Sequence, residues 1–305
     1  MLGPVTLRVG LVGAGPWAGM FHAPMLAAGP RTMLAAVWAR RPEAAEELAA
    51  SYDAQHATSY DDLLAACDAV AFAVPPPVQA RLAPRAARAG KHLLLEKPLA
   101  FTLEEAEAIA AAVDTAGVQS LLMLRNRFTT EGRAFVARAR EGAAVGALAS
   151  FVSGASLPGS PFATPWRVEQ GAMFDLAPHA IDLLDAALGP VVGISAVGDP
   201  LRWLGMTLEH EGGAVSQVAL SITTPGDPSP FWIEARTEHG SVAFDGQRSD
   251  DDGAVQEAIT TALAEAVASG TSHPLDVHRG VFLQRLMSEA LAGLATRDRL
   301  SRGDA

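Results

Sequence analysis

Short apolar runs alternate with segments of helical spacing over residues 1–124. The runs end in glycine, proline or a charged residue, which predicts buried strands, while apolar positions three and four apart predict helices between them. The expected strands are LRVGLVG (7–13), TMLAAVWA (32–39), DAVAFAV (68–74), HLLLE (92–96) and VQSLLML (118–124). A capping box, Thr102 with Glu105, opens an expected helix over 102–116. Strands that alternate with crossover helices predict an α/β fold with a parallel, doubly wound sheet.

The pattern changes after about residue 125. Strand-like segments now follow one another with turn residues between them, which predicts a second, mainly antiparallel sheet. The expected strands are 146–156, 191–198, 201–209, 214–224, 231–238 and 241–244, with helices at about 172–188, 254–268 and 276–295 and an exposed loop at 249–253. This half therefore reads as an α+β domain.

Composition and charge narrow the range of partners. The chain has 305 residues, 49% of them hydrophobic, which is enough for two domains with apolar cores. Its net charge of -11 disfavours nucleic acid, because phosphate backbones bind clustered lysine and arginine, and favours a small-molecule ligand. The single cysteine, Cys67, can form no internal disulfide, and the start MLGPVTLRVGLVGAG has the pattern of neither a signal peptide nor a membrane span. We expect a cytoplasmic protein with no membrane partner.

The stretch GLVGAGPWAG has the spacing of a dinucleotide-binding turn. Gly13 and Gly15 allow a tight turn and the close approach of a pyrophosphate to backbone N–H groups, and the small Ala18 lets helix and strand pack. Because the motif follows an expected strand and opens an expected helix, a dinucleotide site is favoured over a purely structural turn. The other residues expected to contact the cofactor are Pro16, Trp17, Val74, Pro75, Glu96 and Lys97.

The residues after the second strand bear on the choice between NAD and NADP. An acidic residue at this point would bind the ribose 2′-hydroxyl of NAD, but the chain has Ala39, followed by Arg40 and Arg41. A 2′-phosphate would meet no repulsion here, and either guanidinium could bind it in bidentate fashion. NADP is therefore favoured and NAD is the alternative. Both arginines could also simply lie in solvent at the head of a helix.

Glu96, Lys97 and Pro98 directly follow the expected strand HLLLE. The carboxyl end of such a strand lies beside the crevice in which open α/β sheets bind ligands. Lys97 could there carry a proton or donate a hydrogen bond to a substrate oxygen. Position alone would favour the simpler reading, in which a charged pair after a strand is a solvated strand end.

The stretch GAMFDLAPHAIDLLDAALG (171–189) supports the catalytic reading. On a helix Asp175, His179 and Asp182 fall at i, i+4 and i+7 and form one polar stripe. The stripe could be a core histidine satisfied by carboxylates, or an acid/base site in which Asp175 or Asp182 orients His179. A metal site is less favoured, because one histidine and no cysteine fall at ligand spacing.

Together these motifs resemble those of the Gfo/Idh/MocA family of NAD(P)-dependent oxidoreductases. The resemblance rests on GLVGAGPWA, DAVAFAVPPPVQA, LLLEKPLA, RNRF, PWR and GAMFDLAPHAID in this order. It implies a Rossmann domain over residues 1–124 and an α+β domain over 125–305, whose large, open antiparallel sheet often makes subunit contacts. A homodimer or homotetramer is therefore expected. The resemblance also implies a cis peptide bond between Lys97 and Pro98.

The same resemblance implies roles for individual residues. Lys97, Asp175 and His179 correspond to the family's proton-handling set. We expect His179 to be the base, Lys97 the donor and Asp175 the orienting group, although Lys97 and His179 could exchange roles. Arg125, Trp166 and Arg167 are expected in the substrate site, together with Asp175 and His179. The implied reaction transfers a hydride between a nicotinamide cofactor and a secondary alcohol or ketone of a sugar, cyclitol or related polyol derivative. A nucleotide-binding regulator or sensor is the alternative, although a sensor has no need of a proton relay.

Overall fold

The structure is a computed structural model that describes residues 6–225, 231–247 and 252–302. The chain divides into two compact units, one formed by residues 1–123 with 251–281 and the other by 124–250 with 282–305. Of the loop expected at 249–253, residues 249–251 lie outside the described residues, and the rest belongs to a helix. Across the described ranges, no helix combines the length and the apolar character needed to cross a membrane.

The first unit contains a six-stranded sheet in which every neighbouring pair is parallel. Its strands are β1 (Leu7–Val12), β2 (Thr32–Trp38), β3 (Gln55–His56), β4 (Ala69–Phe72), β5 (His92–Leu95) and β6 (Ser120–Leu122), in the spatial order β3-β2-β1-β4-β5-β6. This is the strand order of a Rossmann fold, so the predicted doubly wound α/β domain is confirmed. All four residues of β4 are buried, as expected for a parallel strand covered on both faces.

Helices connect these strands and continue through the second unit. The helices of the described residues are α1 (Ala23–Ala28), α2 (Pro42–Ala50), α3 (Tyr60–Ala66), α4 (Pro76–Arg88), α5 (Leu103–Ala116), α6 (Thr130–Glu141), α7 (Pro165–Asp175), α8 (Ala177–Leu188), α9 (Asp252–Ser269) and α10 (Val277–Arg302). The capping box predicted for α5 is present: Thr102 Oγ1 accepts from Glu105 N at 3.2 Å, and Glu105 Oε2 accepts from Thr102 N at 3.3 Å. The helix ends at Gly117, whose left-handed φ of 64° suits glycine.

Residues 252–281 return to the first unit. α9 packs against α1, β2 and β6. The backbone N–H of Leu122, on β6, donates to the carbonyl of Leu275 at 2.7 Å, and Val277 N donates to Ser120 Oγ at 3.0 Å. This stretch therefore covers the β6 edge of the parallel sheet.

The second unit contains a six-stranded sheet that is mainly antiparallel. Its strands are β7 (Gly146–Val152), β8 (Val191–Asp199), β9 (Trp203–His210), β10 (Val215–Ser221), β11 (Phe231–Thr237) and β12 (Gly240–Asp245), in the order β12-β11-β7-β10-β9-β8. Only the central pair of β7 and β10 is parallel among these neighbours. All six predicted strands are present, so the predicted α+β architecture with a large, mainly antiparallel sheet is confirmed.

The two faces of this second sheet differ in exposure. One face packs against α6, α7 and α8 and buries Leu208, Leu220 and Ile233. The opposite face, here called the open face, carries the exposed large apolar side chains of Leu148, Val197, Trp203, Val215 and Trp232. Leu148 and Trp203 are 49% and 51% exposed within this chain.

Candidate active site

The glycine turn after β1 has no room for a side chain at Gly13 but has open space at Gly15. Gly13 has φ +120°, and a Cβ added to it would lie 2.4 Å from the Ala73 carbonyl oxygen, so only glycine fits. An atom added at Gly15 would meet nothing within 4 Å. The backbone at Gly15 is thus free for the close approach of another group, which is the property that a dinucleotide pyrophosphate requires.

The residues that follow β2 and β4 lie beside this turn. Gly13 N–H donates to the Trp38 carbonyl at 2.8 Å, which brings the start of Ala39, Arg40 and Arg41 to the turn. Arg40 and Arg41 are exposed. Val74 Cγ1 would lie 3.1 Å from a Cβ at Gly13. Residues predicted to contact the cofactor are therefore brought together at the strand-order switch point of the sheet, and they fit a dinucleotide.

The helix after the turn begins at Pro16 and Trp17 and continues to Ala28. Its residues Ala18–His22 form a π-helical segment, which was not predicted. Ala18 is fully buried, in keeping with its role as the small third residue of the motif. The Trp17 ring stacks on Phe21, with centroids 4.8 Å apart and planes 4° from parallel.

The Glu96 carboxylate joins the strand end of β5 to this helix. Its Oε1 accepts from Trp17 Nε1 at 2.7 Å and lies 2.7 Å from His22 Nε2, while Oε2 accepts from Lys97 N at 3.2 Å. Glu96 and Lys97 are therefore adjacent to the glycine-turn helix within the first unit. His22 is fully buried, and no motif had marked it.

Gln79 holds the backbone of the loop that carries Lys97. Its side chain donates to the carbonyls of Glu96 (2.8 Å) and Leu99 (2.9 Å) and accepts from Glu96 N at 2.8 Å. The Lys97–Pro98 bond between these contacts is cis, as the resemblance implied. Gln79 is fully buried on α4, and a polar residue on the apolar side of that helix is the sequence signal that could have identified it.

The predicted helix over 172–188 is divided in two. α7 ends at Asp175 and α8 begins at Ala177, with Leu176 at φ -107° and ψ -36° between them. Pro178 has no N–H to continue the helical ladder, which accounts for a break at this point. The strict i, i+4, i+7 geometry predicted for the polar stripe therefore does not apply.

Two arginines engage the carboxylates on either side of His179. Asp175, 4% exposed, has Oδ1 3.0 Å from Arg167 Nε in an ion pair. Asp182, 1% exposed, accepts from Arg127 Nη1 at 3.2 and 3.3 Å. Each buried carboxylate thus has a cationic partner, as burial of a charge requires.

The predicted substrate residues lie in the second unit. The Arg167 guanidinium is 4.6 Å from the centre of the Trp166 ring, a cation–π distance. The His179 ring centroid is 6.2 Å from that of Phe151 on β7. Arg125 opens a 3₁₀ turn, Arg125–Arg127. In the described residues, no three potential ligating side chains come together as a metal site.

Two protein-family models match the chain. The model of the oxidoreductase family with an NAD-binding Rossmann fold matches residues 7–124, and the model of the GFO/IDH/MocA C-terminal domain matches residues 134–243. The two matches follow one another in the order of the two sheets.

Similar proteins agree with these matches. The chain is 28% identical to levoglucosan dehydrogenase of Pseudarthrobacter phenanthrenivorans, over 88% of this chain and 81% of that protein. It is 29% identical to inositol 2-dehydrogenase of Rhizobium meliloti, over 61% of this chain and 56% of that protein. The structure of GenD2 from gentamicin A biosynthesis, in complex with NAD, has the same fold with a TM-score of 0.84, at 23% identity and 95% coverage of each chain. The chain therefore belongs to the Gfo/Idh/MocA family of oxidoreductases, whose first domain is an NAD-binding Rossmann fold.

Proposed function

We propose that this oxidoreductase transfers a hydride between bound NAD(P) and a secondary alcohol or ketone of a sugar, cyclitol or related polyol derivative. The observation that carries the proposal is the loop of Glu96, Lys97 and Pro98, which follows β5 and is bonded through Glu96 to the glycine-turn helix. The names of two relatives, levoglucosan dehydrogenase and inositol 2-dehydrogenase, support the substrate class.

The chain's own residues handle the proton. A carbinol that is oxidised must lose its hydroxyl proton, or a high-energy protonated ketone results, so a positioned base is required. His179 accepts this proton and Lys97 donates a hydrogen bond to the substrate oxygen as its charge develops. The two could exchange these roles. Asp175 orients the set.

The ion pair between Asp175 and Arg167 extends this proposal to substrate binding. A guanidinium has five N–H donors, of which Nε lies 3.0 Å from the Asp175 carboxylate and Nη1 donates to the Phe162 carbonyl and to Thr164 Oγ1 at 3.4 Å. Arg167 lies over the Trp166 ring, so the two side chains present donors and an apolar aromatic surface together. Such a combination suits a polyol, which offers hydroxyl groups and C–H faces. Arg125 is proposed to contribute to the same site.

A substrate screen tests the proposed function. The purified protein is incubated with NAD⁺ or NADP⁺ and a panel of sugars, anhydrosugars, cyclitols and amino-sugar nucleotides, and the absorbance of the reduced cofactor is followed. We expect turnover of at least one member, and the Lys97→Ala variant is the negative control. Cofactor binding without turnover of any member, in either direction, would favour the regulator or sensor instead.

We predict a preference for NADP(H) over NAD(H). Ala39 offers no carboxylate to the ribose, and hydrogen bonds from exposed Arg40 or Arg41 to a 2′-phosphate would each contribute about 1.5–3 kcal/mol, which is roughly 10- to 100-fold in affinity. The Arg40→Ser, Arg41→Ser double variant should therefore lose NADPH affinity at least about tenfold and keep NADH affinity within about twofold. Calorimetric titration measures both, with Arg88→Ser, an exposed arginine on α4, as control. Equal affinities for the two cofactors in the unmodified protein would contradict the preference.

We also predict a homodimer or homotetramer formed through the open face. The apolar side chains on this face are too many for an isolated surface, and contiguous exposed apolar area usually marks an interface. Light scattering should report a dimer or tetramer at micromolar concentration. Leu148→Glu should shift the protein towards the monomer, whereas Met33→Glu, at a comparably exposed position on β2, should not. A monomeric unmodified protein would contradict the prediction.

A cytoplasmic location stays a prediction, drawn from the single cysteine and from the pattern of the first residues.

A further inference from the structure

A partly buried polar cluster connects the glycine-turn helix with the strand end that carries Lys97. Its members are Trp17, His22 and Glu96, and both ring N–H groups meet one carboxylate oxygen at 2.7 Å. His22 is fully buried and the Glu96 side chain is 13% exposed. Removing the Glu96 carboxylate from water costs free energy, and these two hydrogen bonds compensate for that cost.

The π-helical segment places His22 in this cluster. A π turn adds a residue to a helical turn and changes the direction of the side chains that follow it, and such segments occur frequently at functional sites. Here the segment Ala18–His22 ends at His22, whose ring is turned inward onto Glu96. The π-helical segment thus ends at the residue that bonds to Glu96.

The proton positions follow from the donors available. The Trp17 indole can only donate, so Glu96 Oε1 accepts from it. His22 Nδ1 is buried without a hydrogen-bond partner among the described residues, which disfavours a proton on that atom. The proton therefore sits on Nε2, and His22 donates to the same oxygen as Trp17.

Every polar group of Glu96, in the backbone and in the carboxylate, is therefore held by a hydrogen bond. Gln79 holds its backbone N–H and carbonyl, Trp17 and His22 hold Oε1, and the next backbone N–H, that of Lys97, donates to Oε2. Because Lys97 is the following residue, the direction of its side chain depends on how firmly Glu96 is held.

We propose that His22 and Trp17 are positioning residues, which act through the Glu96 carboxylate to hold Lys97 in place and tie its loop to the glycine turn. The importance of that placement for turnover rests on the role of Lys97 in the proposed function. The placement itself can be measured without substrate, so failure to find a polyol substrate leaves the test intact.

Lysine acylation measures the placement directly. Lys91 and Lys97 are the only two lysines of the chain, so acetic anhydride labelling followed by mass spectrometry resolves both. Lys91 precedes β5, at the end of the strand opposite to Lys97, and its Nζ donates to the Cys67 carbonyl at 2.8 Å, so it serves as the internal reference. Burial raises the pKa of the Cys67 thiol, so this group does not compete for the reagent.

Loss of the His22 donor should expose Lys97 selectively. In His22→Phe we expect the Lys97 labelling rate to rise at least about threefold relative to Lys91, because Glu96 Oε1 loses one of its two side-chain donors. Trp17→Phe removes the indole N–H together with one of the two fused rings but keeps an aromatic ring beside Phe21, and it should give a smaller rise. His22→Gln, which retains an amide donor at the position of Nε2, should label like the unmodified protein.

A matched control separates positioning from general loosening. His278 also pairs with a carboxylate in the first unit, with Nε2 3.0 Å from Asp114 Oδ1, but at the surface. His278→Phe should leave the labelling ratio of the two lysines unchanged. The proposal is overturned if His22→Phe and Trp17→Phe both fold and keep the unmodified ratio, or if His22→Gln labels like His22→Phe.

Discussion

Replacing Lys97 with alanine should lower kcat/KM by about 100-fold or more while the affinity for the cofactor changes less than about threefold. The reason is that the proposed hydrogen bond to the substrate oxygen strengthens as charge develops, so its loss is felt in the transition state. Lys97 lies at the end of β5, bonded through its own N–H to Glu96, and not at the phosphate turn. Steady-state kinetics and a separate cofactor titration measure the two quantities.

Lys97→Arg is the matched control for charge. It restores the positive charge but not a group that can release a proton, and its planar fork differs in geometry from an ammonium. We therefore expect it to recover less than about a tenth of the lost activity. An alanine variant with full activity on the true substrate would refute the role of Lys97.

His179→Ala should lower kcat/KM to a similar extent if it acts with Lys97 on the same substrate oxygen. Groups that act as a unit are non-additive, so the double variant should lose much less than the product of the two single losses. Multiplicative losses would show that the two residues serve separate steps.

Gly13→Ala should destabilise the first unit by about 3 kcal/mol or more, a fall in Tm of roughly 6 °C or more. The alanine would combine a φ of +120° with a contact of 2.4 Å to a backbone carbonyl, and backbone cannot move aside as a flexible side chain can. Thermal unfolding followed by circular dichroism, without cofactor, measures the effect.

Variants at two other glycines separate the effect of a positive φ from the effect of a steric clash. Gly15→Ala should keep Tm within about 2 °C, because the added atom meets no neighbour, but should weaken cofactor binding at least about tenfold by occupying the space for the pyrophosphate. Gly117 has a positive φ of 64°, and a Cβ added there would meet no neighbour. Gly117→Ala should therefore lower the free energy of unfolding by only about 1 kcal/mol. A Gly13→Ala variant as stable as Gly117→Ala would contradict the steric argument.

The strands could be predicted because the two sequence signals of a strand, a continuous apolar run and an alternation of apolar and polar residues, are both strong here. Each long strand of the two sheets coincides with an apolar or alternating run in the sequence. β3 was missed because two residues, Gln55 and His56, carry no period. α6 was missed because its sequence, TEGRAFVARARE, is rich in charge and offers few apolar positions, of which Phe135 and Ala139 are buried.

The sequence patterns point to candidate site residues, but they do not show which residues form hydrogen bonds or ion pairs with each other. The patterns marked Lys97, Asp175 and His179 by residue type and order. Asp182 pairs with Arg127, 55 residues away, and Glu96 meets His22 74 residues away. Such pairs depend on which strands become neighbours and on a π turn, and neither is encoded in a local period.

The return of residues 252–281 to the first unit has a consequence for synthesis on the ribosome. The N–H of Leu122, at the outer edge of β6, can donate to the carbonyl of Leu275 only after Leu275 has left the ribosome, about 150 residues later than Leu122. At roughly 5–20 residues per second this leaves the edge without that partner for about 8–30 s. An uncovered strand edge can pair with other chains, so the growing polypeptide is most exposed to aggregation in this interval and is protected once α9 and the segment after it dock.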